Sequence, residues 1–352
     1  MENPRILFLC TDDKKPVGGI KQIYKMVELL NRNNFNSYVL HRKKGYKVTW
    51  FENNAKILYN KEIFSLLKYS SEKEKIKIKS KLYFDRLLDK LKKNYTITNK
   101  DILVFPEIYG NWINHVFPEN FKVIFNQNCF YTFHNTEIGN DSHYLNKKNL
   151  ATITVSNDSK QYLETTFKDI LIERIRLSIN ENYFNFKKEK KKKICFMPRK
   201  LNEDIVQIIN ILNLRGKLKN WEFIPIDNKS EEEVSKIMKD SFIFLSLNYT
   251  EGFGLPPVEA MACGCIVIGY TGQAGKEYLK PDFSFPIEER NIIDFVSTIE
   301  KVALDIEKNE YFYLNMSKKA SKFVLENYNY SNELNDTLTT WNKIIDLYKS
   351  KI

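Results

Sequence analysis

Histidine is scarce, with four residues in a chain of 352, and the five cysteines are odd in number and scattered. The closest pair, Cys263 and Cys265, only flanks a glycine, whereas a zinc site needs a second ligand pair at matching spacing. Neither a metal site nor a disulfide framework is expected, and the cysteines read as buried thiols of a reducing cytoplasm. No run reaches the roughly 18 to 20 consecutive apolar residues that cross a bilayer. The apolar patch Ile6 to Cys10 lacks the basic leader, long apolar region and small-residue cleavage site of a secretory signal, so it reads as a first strand. An Asp-x-Asp motif at a strand end is missing too, since Asp12-Asp13 lacks the spacing, and so is the Gly-x-Gly-x-x-Gly dinucleotide fingerprint.

What the chain has in excess is positive charge. A formal net charge of +11 and a pI near 9.1 imply attraction to something anionic: nucleic acid, acidic lipid or a phosphorylated substrate. No basic region, zinc finger or aromatic RNP strand accompanies the charge, so no nucleic-acid partner is expected. With 43% hydrophobic and 28% charged residues the composition is that of a packed soluble protein.

The length exceeds what one hydrophobic core organises, and two domains of roughly 150 to 200 residues are expected. Branched and aromatic runs suited to strands recur at Ile6 to Cys10, Ser37 to Leu40, Ile102 to Phe105, Lys122 to Phe125 and Thr152 to Val155, with helical patterns between several of them. The clearest helix follows Gly19, where Ile20, Ile23, Val27 and Leu30 share one face. A second series has strands at Ile194 to Met197, Glu222 to Ile226, Phe242 to Leu247 and Ile266 to Ile268. Alternation of this kind predicts an α/β fold of two parallel, Rossmann-like sheets covered by helices. The expected division is 1–180, a basic solvated linker over 181–192, a second domain over 193–330 and a final helix over 331–352. That helix carries Leu334, Leu338, Trp341, Ile345 and Tyr348 on one stripe, with Ser331 as its expected N-cap. Between Lys61 and Lys100 lies a lysine-rich helical insertion whose apolar residues suit either packing on the first domain or a membrane surface.

Chemistry concentrates after the strand Phe242 to Leu247. The chain there turns through Gly252 and Gly254, which let backbone approach a ligand, and through Pro256-Pro257, which suit a first helical turn. The amides of such a helix start, with the positive end of its dipole, favour a diphosphate. Glu251 and Glu259 bracket the loop. Both cannot face phosphate, so hydroxyl-rich partners are their natural targets, one holding a sugar and the other a ribose. Taken singly, Glu251 would only begin a turn and Glu259 only complement a helix N-terminus. The ordered set of acid, two glycines, two prolines, acid and Ala260-Met261-Ala262-Cys263-Gly264 is far more specific.

This stretch resembles the Glu-x7-Glu signature of retaining glycosyltransferases of the GT-B fold, family 4 (glycosyl transferases group 1), with a close match from Leu245 to Leu279. The resemblance implies two Rossmann-like domains facing a central cleft, with the last helix crossing back to the first domain. It also implies a nucleotide-diphosphate sugar as donor, a glycan or lipid-linked acceptor, no cofactor, and transfer that is metal-independent. By the same resemblance Glu259 binds ribose, Glu251 lies against the transferred sugar, and the loop Gly252-Phe253-Gly254-Leu255 meets the distal phosphate, with Gly272 in the next turn near the sugar. Arg199 and Lys200 stand where the family has a basic pair that neutralises the leaving diphosphate. The family's usual lysine position is here Asp204, which makes Arg199 the main candidate. Gly18-Gly19 resembles the family's loop toward the diphosphate in the first domain.

Glu107 and the amides Asn126, Gln127 and Asn128 sit where parallel strands end, the side on which open α/β sheets bind ligands, and are candidates for holding sugar or acceptor hydroxyls. Turn closure is the alternative for those amides. The setting such enzymes commonly have is bacterial surface-polysaccharide assembly, and the basic balance suits peripheral contact with an anionic inner membrane. Two other readings share the features: a nucleotide-sugar epimerase of the same fold, and a non-catalytic sugar-binding partner subunit.

Overall fold

A computed structural model describes residues 3–69, 75–91, 94–136, 142–199 and 202–352. The chain forms two compact units, one of Met1–Ile175 with Leu334–Ile352, the other Arg176–Glu333.

The first unit runs β1 (Arg5–Leu9), α1 (Gly18–Arg32), β2 (Asn36–His41), β3 (Ile57–Tyr59), α2 (Lys61–Tyr69), α3 (Lys75–Leu91), β4 (Ile102–Pro106), β5 (Lys122–Asn126), β6 (Asn149–Thr154), α4 (Asn157–Thr166) and β7 (Ile172–Arg174). Its seven strands lie in the order β3-β2-β1-β4-β5-β6-β7, every pairing parallel. β4 and β5 are buried along their whole length, as continuous apolar runs covered on both faces should be. α1 buries Ile20, Ile23, Val27 and Leu30, the face its spacing predicts.

The insertion between Lys61 and Lys100 is a pair of helices, α2 and α3, in its described parts; residues 70–74 and 92–93 fall outside the description. α2 sends Ile63 and Leu67 into the core of the first unit. Buried acids on α3 tie the two together: Asp85 takes the Lys61 ammonium at 2.6 Å and the Ser65 hydroxyl at 2.6 Å. Asp89 accepts the amides of Lys61 and Glu62, satisfying donors that the start of α2 leaves over. α3 leaves Tyr83, Phe84, Leu87 and Leu91 exposed.

The second unit runs β8 (Lys191–Phe196), α5 (Asn202–Arg215), β9 (Glu222–Pro225), α6 (Glu231–Asp240), β10 (Ser241–Ser246), α7 (Leu255–Ala262), β11 (Ile266–Tyr270), β12 (Phe285–Ile287) and α8 (Ile292–Asn327), the last kinked at Asn309. Its five strands are again parallel, ordered β12-β11-β10-β8-β9. Residues 181–192, expected to be a solvated linker, belong to this unit and are structurally employed. Lys190 donates to the carbonyls of Met238, Lys239 and Cys263 at 3.3, 3.0 and 2.7 Å, capping the ends of α6 and α7. Lys187 and Lys191 share Asp240, holding its carboxyl down at about 2.

The chain ends in α9 (Tyr330–Ser350). The cap expected of Ser331 is made by Asn329, whose Oδ1 accepts the Asn332 amide at 2.9 Å, because the helix begins one residue before Ser331. The part of α9 in the first unit buries Trp341 against Phe8 (ring centroids 5.6 Å) and Tyr348 against Phe121 (5.5 Å). The Tyr348 hydroxyl donates to the Lys100 carbonyl at 3.0 Å, and Lys343 pairs with Glu173 at 2.7 Å. All five cysteines are buried and free.

Candidate functional site

In the second unit the chain leaves β8 toward β9 on one side and reaches β10 on the other, so the strand order reverses between β8 and β10. Open parallel sheets bind ligands at such a point, beyond the carboxyl ends of the strands. The loop 247–254 leaves β10 there, and Arg199, exposed, lies just beyond the end of the neighbouring β8.

Gly254 is the N-cap of α7 in the left-handed region (φ 84, ψ 74), which L side chains rarely adopt. A Cβ on it would stand 2.7 Å from the Tyr278 hydroxyl. That hydroxyl is a fixed object: Tyr278 is buried, donates to the Phe253 carbonyl at 2.7 Å, and packs with Tyr328 around the Phe253 ring. A helix start leaves its first four amides without intrahelical acceptors, but Pro256 and Pro257 occupy two of those positions and carry no N–H. The donors of this helix start are therefore the amides of Gly254 and Leu255, set beside the positive end of the dipole.

Glu251 and Glu259 are half-buried on either side of these amides. Asn248 holds the first: its Nδ2 donates to Glu251 Oε1 at 2.6 Å while its Oδ1 accepts the Thr250 amide at 3.1 Å. Sequence reading passed over both Asn248 and Tyr278. An Asn two residues before a loop amide is an Asx-turn signal that was available, whereas the tyrosine comes from a later turn and carried none. Gly272 (φ 53) abuts the same loop, since a Cβ there would meet the Tyr249 carbonyl oxygen at 2.6 Å. The unexpected Asp204 proves to be a buried strut in α5, accepting the Tyr270 hydroxyl at 3.0 Å. Lys200 lies outside the described residues.

In the first unit the order reverses between β1 and β4, and three candidates converge there. Glu107, just past β4 and 4% exposed, accepts the Gln127 amide at 3.1 Å; a Cβ on Gly19 would stand 3.2 Å from the Gln127 side-chain oxygen, whereas Gly18 has open space. Asn126 and Asn128, expected either to hold ligand hydroxyls or to close turns, make hydrogen bonds within the first unit. Asn126 is fully buried and donates to the Thr132 hydroxyl at 3.0 Å and the Tyr144 hydroxyl at 2.7 Å. Asn128 accepts the Phe130 amide at 3.1 Å as the cap of a short 3-10 turn. Gln127 is the member of the trio turned toward the glycine loop.

Burial pushes the Glu107 carboxyl up from 4.5 to about 7, only partly opposed by the amides of Gln127 and Asn128 that favour its charged form. Cys129 and Tyr144 are the other titratable groups that feel it. Below pH 4.5 the group is protonated both folded and unfolded. Between 4.5 and 7 the unfolded chain releases the proton first, so the stabilisation fades as pH rises through that window. Glu107→Gln should therefore gain stability relative to the parent by about 2–3 kcal/mol on going from pH 4.5 to pH 8. Urea unfolding at the two pH values checks this, and a difference independent of pH would contradict it.

Residues 207–320 match the family described as Glycosyl transferases group 1. The second unit carries a group 1 glycosyltransferase domain. This domain holds the Gly254 loop, both glutamates and Gly272. Among curated relatives, an alpha-1,6-glucosyltransferase of Actinobacillus pleuropneumoniae serotype 7 is 28% identical over 190 residues, covering 52% of this chain and 56% of the relative. The chain thus spans about half the length of that relative. Sucrose-phosphate synthase from Thermosynechococcus elongatus superposes with a TM-score of 0.67 at 10% identity, over 97% of this chain and 99% of the other. TarM of S. aureus, in a structure with fondaparinux, alpha-GlcNAc-glycerol and UDP, gives 0.63 at 11% identity over 97% and 99%. HepE of Anabaena, in complex with UDP, gives 0.61 at 11% over 96% and 99%. At such identities the likeness concerns the fold, which is GT-B.

Proposed function

We propose that the chain is a retaining, metal-independent glycosyltransferase that moves a sugar from a nucleotide-diphosphate donor to a glycan or lipid-linked acceptor. The observation that carries this reading is the left-handed Gly254 opening a Pro-Pro helix start between Glu251 and Glu259, at the strand-order reversal of the second sheet. In this reading the Gly254 and Leu255 amides take the distal phosphate, Glu259 the ribose and Glu251 the transferred sugar. Arg199, with Lys200 beside it in sequence, offsets the charge that grows on the leaving diphosphate. The sugar C1–O bond to phosphate breaks as the acceptor oxygen bonds C1 on the same face. The acceptor proton passes to the departing phosphate oxygen, so no protein nucleophile is required.

The occurrence of UDP in the TarM and HepE structures supports a nucleotide donor. The cellular setting we favour is surface-polysaccharide synthesis at the cytoplasmic face of a bacterial inner membrane. Among the described residues no helix is long and apolar enough to cross a membrane. The exposed Tyr83, Phe84, Leu87 and Leu91 on lysine-rich α3 suit peripheral contact with anionic lipid.

The test is a panel of nucleotide sugars, followed by thermal shift and by release of nucleotide with and without a glycan acceptor. Saturable binding with acceptor-stimulated release is expected. Binding without release would favour a sugar-binding subunit, and binding of none would overturn the proposal.

A further inference from the structure

One tyrosine hydroxyl decides which way the amides of the Gly254 loop face. Tyr278 reaches the loop from the turn that follows β11, and its Oη donates to two consecutive carbonyls, Phe253 at 2.7 Å and Gly254 at 3.0 Å. In a trans peptide the C=O and the following N–H point in opposite directions. With both carbonyls drawn onto the tyrosine, the N–H groups of Gly254 and Leu255 are turned to the other side of the loop. The tyrosine side is the interior: Tyr278 is 2% exposed, whereas Gly254 and Leu255 are half-buried, so both donors lie on the open face. Neither amide has a protein acceptor among the described residues.

The loop by itself does not fix that face. Glycine at 254 permits the left-handed φ of 84, and the same freedom lets the peptides on either side of it rotate. A rotated peptide would present a carbonyl oxygen to the ligand and repel a phosphate. Tyr278 is held firmly enough to oppose this. Its amide donates to the Gly275 carbonyl at 3.1 Å, and its ring packs edge-on with Phe253 at 5.4 Å and Tyr328 at 6.3 Å between centroids. Tyr328 also packs on Phe253, at 5.0 Å. Burial pushes the Tyr278 hydroxyl well above its ordinary value of 10, with Tyr328, Glu251 and Glu277 adding to the shift, so the group remains a proton donor.

We propose that Tyr278 is a positioning residue for the donor's diphosphate: by holding the Phe253 and Gly254 carbonyls inward, it keeps two consecutive N–H groups aimed at the distal phosphate. The role rests on the transferase reading, which supplies the diphosphate; the carbonyl lock is a property of the second unit alone. The hydroxyl touches no substrate and acts through the peptide dipoles that it orients. Discrimination between a nucleoside diphosphate and its monophosphate follows, because the monophosphate lacks the group that these amides take.

Calorimetry on the full chain compares whichever of UDP, GDP, ADP and dTDP binds the parent most tightly with the corresponding monophosphate. In Tyr278→Phe, which keeps the ring and removes the oxygen, the diphosphate should weaken by about tenfold or more while the monophosphate stays within about twofold. Tyr348→Phe is the control for losing a buried tyrosine hydroxyl, since it removes a like bond to the Lys100 carbonyl in the first unit and should alter neither affinity. Diphosphate affinity unchanged in Tyr278→Phe would overturn the proposal. Equal weakening of both nucleotides would overturn it too, because that marks a packing role. Either result leaves the donor reading intact, since the parent still binds and releases nucleotide. A parent that binds none of the diphosphates sinks the donor reading, and this proposal with it.

A second measurement needs no variant. In the parent with isotope-labelled glycine and leucine, saturating diphosphate should slow hydrogen exchange at the Gly254 and Leu255 amides by about tenfold, and saturating monophosphate should not. Exchange that the diphosphate leaves unchanged would contradict the facing assigned to these amides. The Gly254→Ala background is unsuited to the test, because Tyr278→Phe there relieves a clash as well as removing the lock.

Discussion

Gly254→Ala is expected to lower kcat/KM for the nucleotide sugar by about 10²–10³ and to weaken the nucleotide itself, while the fold survives. Two costs combine. The residue sits at φ 84, a conformation that an L side chain enters only with strain of about 1–3 kcal/mol. The added methyl also lands 2.7 Å from the Tyr278 hydroxyl, which cannot swing aside because Tyr278 is buried and donates to the Phe253 carbonyl. The loop must therefore move, and with it the Gly254 and Leu255 amides, the donors that Pro256 and Pro257 leave at this helix start. Losing one oriented donor to a developing charge typically costs a factor of about 10²–10³. Gly275→Ala is the control, because a Cβ there meets only ordinary contacts from 3.5 Å and its φ is unremarkable. Tyr278→Phe in the Gly254→Ala background removes the clashing oxygen but not the strain, so it should restore activity only in part. Equal activities for the two alanine variants would refute the geometry assigned to this loop.

The contrast between Gly254 and the first-unit amides shows what a sequence discloses about a site and what it hides. The backbone of the Gly254 loop was legible because its residue types answer a local demand: glycine where φ is positive and proline where an amide is dispensable. Asn126, Gln127 and Asn128 are adjacent and alike in chemistry, yet they do three different things. Which of them turns inward depends on Tyr144, Thr132 and Gly19, all distant in sequence or set by the packing of other strands. The strands show the same division. Continuous apolar runs such as Ile102 to Phe105 announced themselves, while β3 and β7, three residues each at the two edges of the first sheet, carry too few side chains to set a period. The lysine run before β8 misled for a related reason. Charge usually marks solvent, but Lys190 is long enough to reach three carbonyls at two helix ends, and that pairing is visible only once α6 and α7 are placed side by side.

Glu251→Ala should separate sugar from nucleotide. If Glu251 holds the transferred sugar, the variant loses about 10²–10⁴ in kcat/KM for the intact donor, the worth of roughly two charge-assisted hydrogen bonds at about 1.5–3 kcal/mol each. Its affinity for the free nucleoside diphosphate should stay within about twofold of the parent, because the proposed reading gives the phosphate to the Gly254 and Leu255 amides and the ribose to Glu259. Glu259→Ala should do the reverse and weaken the free nucleotide. Asn248 supplies a finer test, since it touches Glu251 at 2.6 Å and the Thr250 amide at 3.1 Å and so orients the carboxylate. Asn248→Ala should cost about tenfold in kcat with nucleotide affinity unchanged, and Asn248→Asp more than that, because a second carboxylate at that distance repels the first. Calorimetry with the nucleotide and steady-state rates with the nucleotide sugar measure both quantities. The assignment fails if Glu251→Ala and Glu259→Ala weaken the bare nucleotide equally, for then both acids would be serving the helix start rather than two different rings of the donor.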